Sequence, residues 1–211
     1  MNGIKVSTLR LVAVEPITTP TNRAMRKSMI QPATGVLLIS EPFLADSYFK
    51  RSVVLISEHD DKGALGFILN KPTDVTINDA VEDFPEFNSR LYFGGPVETD
   101  TLFYIHTIGE KLEGAKPIGN GIYWGGSYDQ LKTLIHTGEV TPDMIRFYAG
   151  YSGWDADQLG NELQEKSWLV SEGNARFTFY DDPNSLWSQV LRSMGSEYAM
   201  MANFPEDPAL N

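Results

Sequence analysis

Residues 35–58 read GVLLISEPFLADSYFKRSVVLISE, two apolar runs separated by a stretch rich in polar and aromatic side chains. Gly35-Val36-Leu37-Leu38-Ile39-Ser40 is short, continuously apolar and bounded by Gly35 and Pro42, which predicts a buried strand. Ser52 to Glu58 predicts a second strand of the same kind, with Phe43 to Arg51 forming a short helix or an irregular turn between them. The quartet LISE occurs at 38–41 and again at 55–58. It marks two similar strand ends and not a repeat, because nothing longer aligns around it.

Working outward, Asp60-Asp61-Lys62-Gly63 predicts a hairpin turn, with Gly63 where a positive φ is tolerated. A strand from Ala64 to Leu69 follows and ends at Asn70-Lys71-Pro72. Ile77 to Asp83 predicts a weak helix, and Leu91-Tyr92-Phe93 runs into a turn at Gly94-Gly95-Pro96. Further strands are expected at Thr101 to Thr107, Gly121 to Trp124, Ile145 to Ala149, Ser167 to Ser171 and Ala175 to Tyr180. Two helices are well marked. Ser127 and Gln130 have capping-box spacing before the stripe Leu131, Leu134, Ile135, and Gly138 ends that helix. Asp182 caps and Pro183 opens a second helix, whose face carries Trp187, Val190, Leu191 and Met194 before Gly195. Short strands and helices without strict alternation predict an α+β fold with a largely antiparallel sheet.

The 211 residues suit one domain, and the 42% hydrophobic share is enough for a real core. Residues 1–34 show little apolar periodicity and read as an N-terminal extension or arm, with the compact domain over 35–211. Cysteine is absent, which excludes disulfides and thiol chemistry. No stretch approaches the ~20 apolar residues of a membrane span, and the N-terminus lacks the pattern of a secretory signal. A cytoplasmic protein without membrane contact is expected. The net charge of −11 argues against direct nucleic-acid binding by the body of the protein. The arm is the exception, with Lys5, Arg10, Arg23, Arg26 and Lys27 against Glu15 alone.

The decapeptide GYSGWDADQL at 150–159 has the look of a serine nucleophile motif. A nucleophile elbow needs glycine two positions after the serine, and that position holds Trp154. The three histidines, His59, His106 and His136, all precede Ser152, the reverse of the order in that fold. No catalytic serine is assigned, and the decapeptide reads instead as a glycine turn entering a helix capped by Asp155, with Gln158 at the third position. Asp155 and Asp157 already supply negative charge at that helix start, which disfavours phosphate there. No metal-ligand spacing is present. The glycine pairs at 94–95 and 125–126 lack the features of a phosphate or dinucleotide loop, so no metal and no cofactor is expected. Glu58-His59-Asp60 sets an imidazole between carboxylates at a strand end, a candidate for acid–base work or for a structural histidine.

Several segments together resemble the YqgE/AlgH family: residues 40–54 (SEPFLADSYFKRSVV), Glu58-His59, residues 63–72 (GALGFILNKP), residues 92–97 (YFGGPV), and Tyr151-Ser152-Gly153-Trp154 followed by Gln158-Leu159 and Glu162-Leu163. The resemblance spans about residues 35 to 190. It implies an α+β fold around a bulged antiparallel sheet or open barrel with flanking helices. It also implies a bacterial, cytoplasmic protein of a kind often labelled transcriptional regulator, with no established catalytic residue or cofactor to carry over. Asp157 departs from the family's usual Gly before the Gln, and Gly160 from its usual acid after the Leu.

The expected function is that of a non-catalytic regulator acting by binding a protein or small molecule, in a cleft gathering Arg51, His59, Asn70, Tyr151, Gln158 and Glu162. Two alternatives stand beside it: a hydrolase or transferase using His59 with Arg51 or Glu162, and a DNA-binding transcriptional regulator.

Overall fold

The computed structural model describes residues 30–205. The two apolar runs form β1 (Val36–Ser40) and β2 (Val53–Asp60), paired antiparallel with Leu38 opposite Val54. Their continuous apolarity has a cause: both faces are covered. Leu37, Ile39, Val53 and Leu55 point into one buried cluster, while Val36, Leu38, Val54 and Ile56 point into another on the opposite face.

The chain continues through β3 (Gly63–Ile68), β4 (Pro72–Thr76), α1 (Ile77–Ala80), β5 (Arg90–Phe93), β6 (Val97–His106), β7 (Lys116–Gly119) and β8 (Ile122–Trp124). Then come α2 (Tyr128–His136), β9 (Ile145–Asp155), α3 (Gln158–Gln164), β10 (Trp168–Glu172), α4 (Ala175–Thr178), α5 (Pro183–Ser193) and α6 (Ser196–Met201). Ten strands form one sheet in the order β10-β1-β2-β3-β9-β6-β8-β7, with β5 and β4 attached beside β9. Every pairing is antiparallel except that of β5 with β9. The expected α+β class and bulged, largely antiparallel sheet are therefore present. The sheet does not close into a barrel. Its two ends approach: Asn120 Nδ2, just past β7, donates to the Gly173 carbonyl, just past β10, at 2.8 Å, and Lys116 Nζ of β7 meets Glu58 Oε1 of β2 at 2.6 Å.

Three apolar layers hold the helices in place. The concave face packs on α5 through Leu186, Trp187, Val190 and Leu191. The outer face around Phe147 is covered by α1 and α2 through Ile77, Leu131 and Ile135. The outer face of β1–β3 is covered by α3 and by residues 41–51, with Leu159, Leu44 and Phe49 over Trp154 and Trp168.

β9 is the strand that joins the two halves. Residues 145–151 pair with β5 and β6, and residues 152–155 pair with β3. The switch comes at Gly150, which has φ +69°, and the Gly94-Gly95-Pro96 turn packs directly on it. A Cβ on Gly94 would lie 2.2 Å from the Gly150 carbonyl oxygen, and one on Gly95 2.3 Å from the Tyr151 main chain. The Gly94 carbonyl accepts from both the Ile68 N–H (3.0 Å) and the Ser152 hydroxyl (3.0 Å). Glycine is required here by backbone-to-backbone approach as much as by dihedral freedom.

Some expectations are corrected. Ala175 to Tyr180, expected as a strand, holds α4, because the Asn174 side chain accepts the Phe177 N–H and starts a helical turn. Buried Arg146 then ties that segment to the sheet, donating to the carbonyls of Leu69, Thr178 and Tyr180. These bonds set a helical turn where a strand was expected. The helix expected to run to Asp83 stops at Ala80. Thr76 and Asp79 form a complete capping box at its start, and Val81 is already extended. The expected arm falls outside the described residues up to residue 29. No described helix is long and apolar enough to cross a membrane.

Replacing Gly95 by alanine forces its methyl group into the β9 backbone at positive φ. The expected loss is about 3 kcal/mol or more, read as a thermal midpoint lower by about 6–12 °C for a chain of this size.

Candidate functional site

The β2–β3 hairpin and the end of β9 enclose a surface cavity of about 400 Å3. A bulge between Ile56 and Glu58 shifts the β2 register before the hairpin, placing Glu58 opposite Leu65 and His59 opposite Ala64. The turn itself is held by Asp60 Oδ1, which accepts the Lys62 N–H at 2.8 Å. The lining combines Ala64, Leu65, Val97, Tyr151 and Trp154 with the polar groups of His59, Asp60, Asp155 and Gln158. Glu58, also in the lining, is engaged by Lys116 of β7.

Three of the six residues expected in a cleft are brought together here: His59, Tyr151 and Gln158. The exposed His59 side chain has no hydrogen-bond partner among the described residues, whereas Tyr151 rests edge-on against Phe103 at 5.5 Å. Glu162 stands one bond behind Gln158. Its Oε1 accepts Gln158 Nε2 at 2.9 Å, while Oε2 accepts the indole N–H groups of Trp154 at 2.8 Å and Trp168 at 2.7 Å. Glu162 is outside the cavity lining and acts as a clamp, tying Gln158 and Trp154, which line it, to Trp168.

Arg51 and Asn70 are not part of this cavity. Arg51 lies just before β2, eight residues from His59 or about 26 Å at ~3.3 Å per strand residue, and Asn70, just past β3, is bonded beside it. Asn70 extends the sheet with its side chain, accepting the Val53 N–H at 2.9 Å and donating to the Arg51 carbonyl at 2.8 Å. The Arg51 guanidinium lies 4.7 Å over the Trp187 ring and donates to the Phe204 carbonyl. Lys71 Nζ donates to the Tyr48 carbonyl at 2.6 Å, and burial pulls its pKa below the usual lysine value. The sequence Asn70-Lys71 therefore fastens the 41–51 segment to the sheet.

Ser152 is fully buried in β9, with its hydroxyl proton committed to the Gly94 carbonyl. Asp155 is the last residue of β9, not the cap of α3. The cap position is Asp157, in the left-handed conformation at φ +64° and making no side-chain capping bond. Gln158 Oε1 accepts the Asp155 N–H at 3.0 Å, which supplies one half of the expected box. The left-handed backbone at 157 explains why glycine would be at home there, and Asp is among the few other residues that tolerate it. Among the described residues, no group of three or more His, Asp or Glu side chains is arranged to hold a metal ion.

His106 is fully buried, with Nε2 2.9 Å from the Gly125 carbonyl and Nδ1 accepting the Ile108 N–H at 3.2 Å. These contacts fix a neutral imidazole with its proton on Nε2, and burial lowers its pKa. It holds the Gly125-Gly126 turn, whose second carbonyl accepts the Tyr104 hydroxyl at 2.6 Å. Burial pushes that phenol up to about 12.

The sequence profile of the AlgH-like family, DUF179, matches residues 37–199. The chain belongs to the AlgH-like family. A UPF0301 protein of Cytophaga hutchinsonii is 47% identical over 178 residues, which cover 84% of this chain and 98% of that protein. One from Bacteroides thetaiotaomicron is 42% identical over 188 residues, covering 89% and 95% respectively. The solution structure of AlgH from Pseudomonas aeruginosa aligns with a TM-score of 0.66 at 26% identity, over 84% of this chain and 98% of that one. A Corynebacterium diphtheriae crystal structure shares the fold, with a TM-score of 0.70 at 21% identity, over 83% and 94%. The matched span includes the sheet crossing, the Asn70 link, the Glu162 clamp and the hairpin cavity.

Two outcomes follow for the clamp and the buried histidine. Glu162→Ala leaves two indole donors unpaired and is expected to cost about 2–5 kcal/mol, measured by urea unfolding. Glu162→Gln keeps one acceptor oxygen and is expected to cost less than about 1.5 kcal/mol. For His106 the folded pKa lies below the ordinary 6.5, so the unfolded chain takes up the proton first. Its contribution to stability is present above about pH 6.5 and is lost as the pH falls. The decline in urea midpoint between about pH 7 and 5.5 should be shallower in His106→Gln than in the native chain.

Proposed function

We propose that this AlgH-like protein is a non-catalytic binding protein that takes a small molecule or a protein segment at the hairpin cavity. The observation that carries the reading is the direction in which the polar groups of the signature segments are engaged. Glu162 accepts two indoles and Gln158, Asn70 completes a strand edge, and Ser152 donates to a carbonyl. These groups build shape and offer no acid–base pair to a substrate. What faces outward is a half-apolar cavity with His59, Tyr151 and Gln158 in its lining, a composition suited to recognition. The label of regulator is then best understood as control by binding, in the cytoplasm, and without direct contact to DNA by an acidic body.

Native mass spectrometry of the protein purified from its own cells tests this. The expected result is a retained metabolite or partner chain whose occupancy falls when His59 and Gln158 are both replaced by alanine. Turnover in a broad substrate screen, abolished by His59→Ala alone, would replace binding with catalysis. Specific duplex binding near physiological salt would replace it with DNA recognition.

A further inference from the structure

β6 has a strand neighbour on each edge, but on one edge that neighbour leaves early. β8 pairs with it only at Ile105 and His106, and one more bond follows, from the Gly125 N–H to the Tyr104 carbonyl at 3.0 Å. The chain then turns away through Gly125 and Gly126, both at positive φ, towards α2. In an antiparallel ladder a residue's N–H and C=O face the same edge, and successive residues alternate between edges. Tyr104 faces β8, so Leu102 presents its main-chain groups on that edge too, where no strand pairs with β6. An open strand edge is a template for another chain.

Beside this edge lies a cavity of about 500 Å3, walled by Val81, Leu102, Trp124 and Tyr128. The Tyr104 hydroxyl next to it is committed to the Gly126 carbonyl at 2.6 Å. No lining residue is shared with the hairpin cavity. The charge around it is unbalanced. Exposed Glu82 and Asp83 follow Val81, exposed Asp100 lies two residues before Leu102, and exposed Asp129 follows Tyr128. The cations on the cavity walls are already engaged: Lys132 over the Tyr128 ring lies 3.3 Å from Asp129, and Lys116 over the Trp124 ring is paired with Glu58. Glu82, Asp83 and Asp100 have no ion pair among the described residues.

We propose that β6 takes a basic, extended segment of a partner protein as an added strand at Leu102. Main-chain bonds to Leu102 hold the segment, and one apolar side chain enters the cavity. Lys or Arg side chains two positions away lie on the same face of the added strand and meet the unpaired acids. This surface does not rest on the binding reading above.

The test uses the full chain. In the free protein, the Leu102 amide is expected to exchange with deuterium about tenfold or more faster than that of Phe103, which faces β9. A phage-displayed library of random peptides, selected on the protein, should enrich sequences with one large apolar residue and Lys or Arg two positions from it. A synthetic peptide of the enriched sequence should slow exchange at Leu102 about tenfold. It should bind about fivefold or more weakly to the double variant Glu82→Lys, Asp100→Lys. Methylating the peptide's backbone nitrogens at alternate positions separates strand addition from a loose charge contact: one set should abolish binding and the other should leave it intact. No enriched peptide, enrichment of acidic sequences, equal effects of the two methylation sets, or a Leu102 amide as protected as that of Phe103 in the free chain would each overturn the proposal. So would loss of peptide binding on replacing His59 and Gln158 by alanine, which would place the peptide in the hairpin cavity instead.

Discussion

The whole architecture depends on one close approach of two main chains, where the Gly94-Gly95 turn lies against β9 at Gly150. β9 is shared between two sets of strands, and it changes partners at that crossing. The crossing works because three glycines bring carbonyls and amides into a space that no Cβ can enter. The Gly94 carbonyl then takes one donor from β3 and one from β9 itself, which locks the halves in register. Everything placed on the ends of β2, β3 and β9, the hairpin cavity included, inherits its geometry from this junction.

The strand pair at 35–58 was legible because burial on both faces leaves a plain mark, an uninterrupted apolar run with no alternation. The helix at 183–193 was legible for the opposite reason, a one-sided stripe with Asp182 and Pro183 at its start. Ala175–Thr178 was not, because its helical turn is set by the Asn174 side chain and by Arg146 reaching from a distant strand. No local periodicity records a partner thirty residues away. The pairs Lys116–Glu58 and Asn120–Gly173 were invisible for the same reason.

The candidate site shows a similar division. His59, Tyr151 and Gln158 line one cavity because β2, β3 and β9 are neighbours, an adjacency that no local sequence pattern records. Arg51 and Asn70 belong to the same signature segments yet lie at the far end of β2, where they secure the 41–51 segment. Glu162, expected in the same cleft, accepts the indole N–H groups of two buried tryptophans. A polar residue in a family motif marks a requirement of the fold as readily as one of chemistry, and only the partners of its atoms distinguish the two.

The seam between the two ends of the sheet has a consequence for how this fold tolerates change. A closed barrel has its girth set by strand number and stagger. Here the strand order ends in β7 and β10, linked by the Asn120 side chain reaching Gly173 with no ladder between them, while Lys116 of β7 reaches Glu58 of β2. A larger interior side chain at Ile118 or Ile122, both in the concave cluster, can be accommodated by widening the gap without breaking a strand pairing. The open seam makes the interior volume an adjustable quantity, so sequences that have drifted far apart in their core residues can still keep the same strand order.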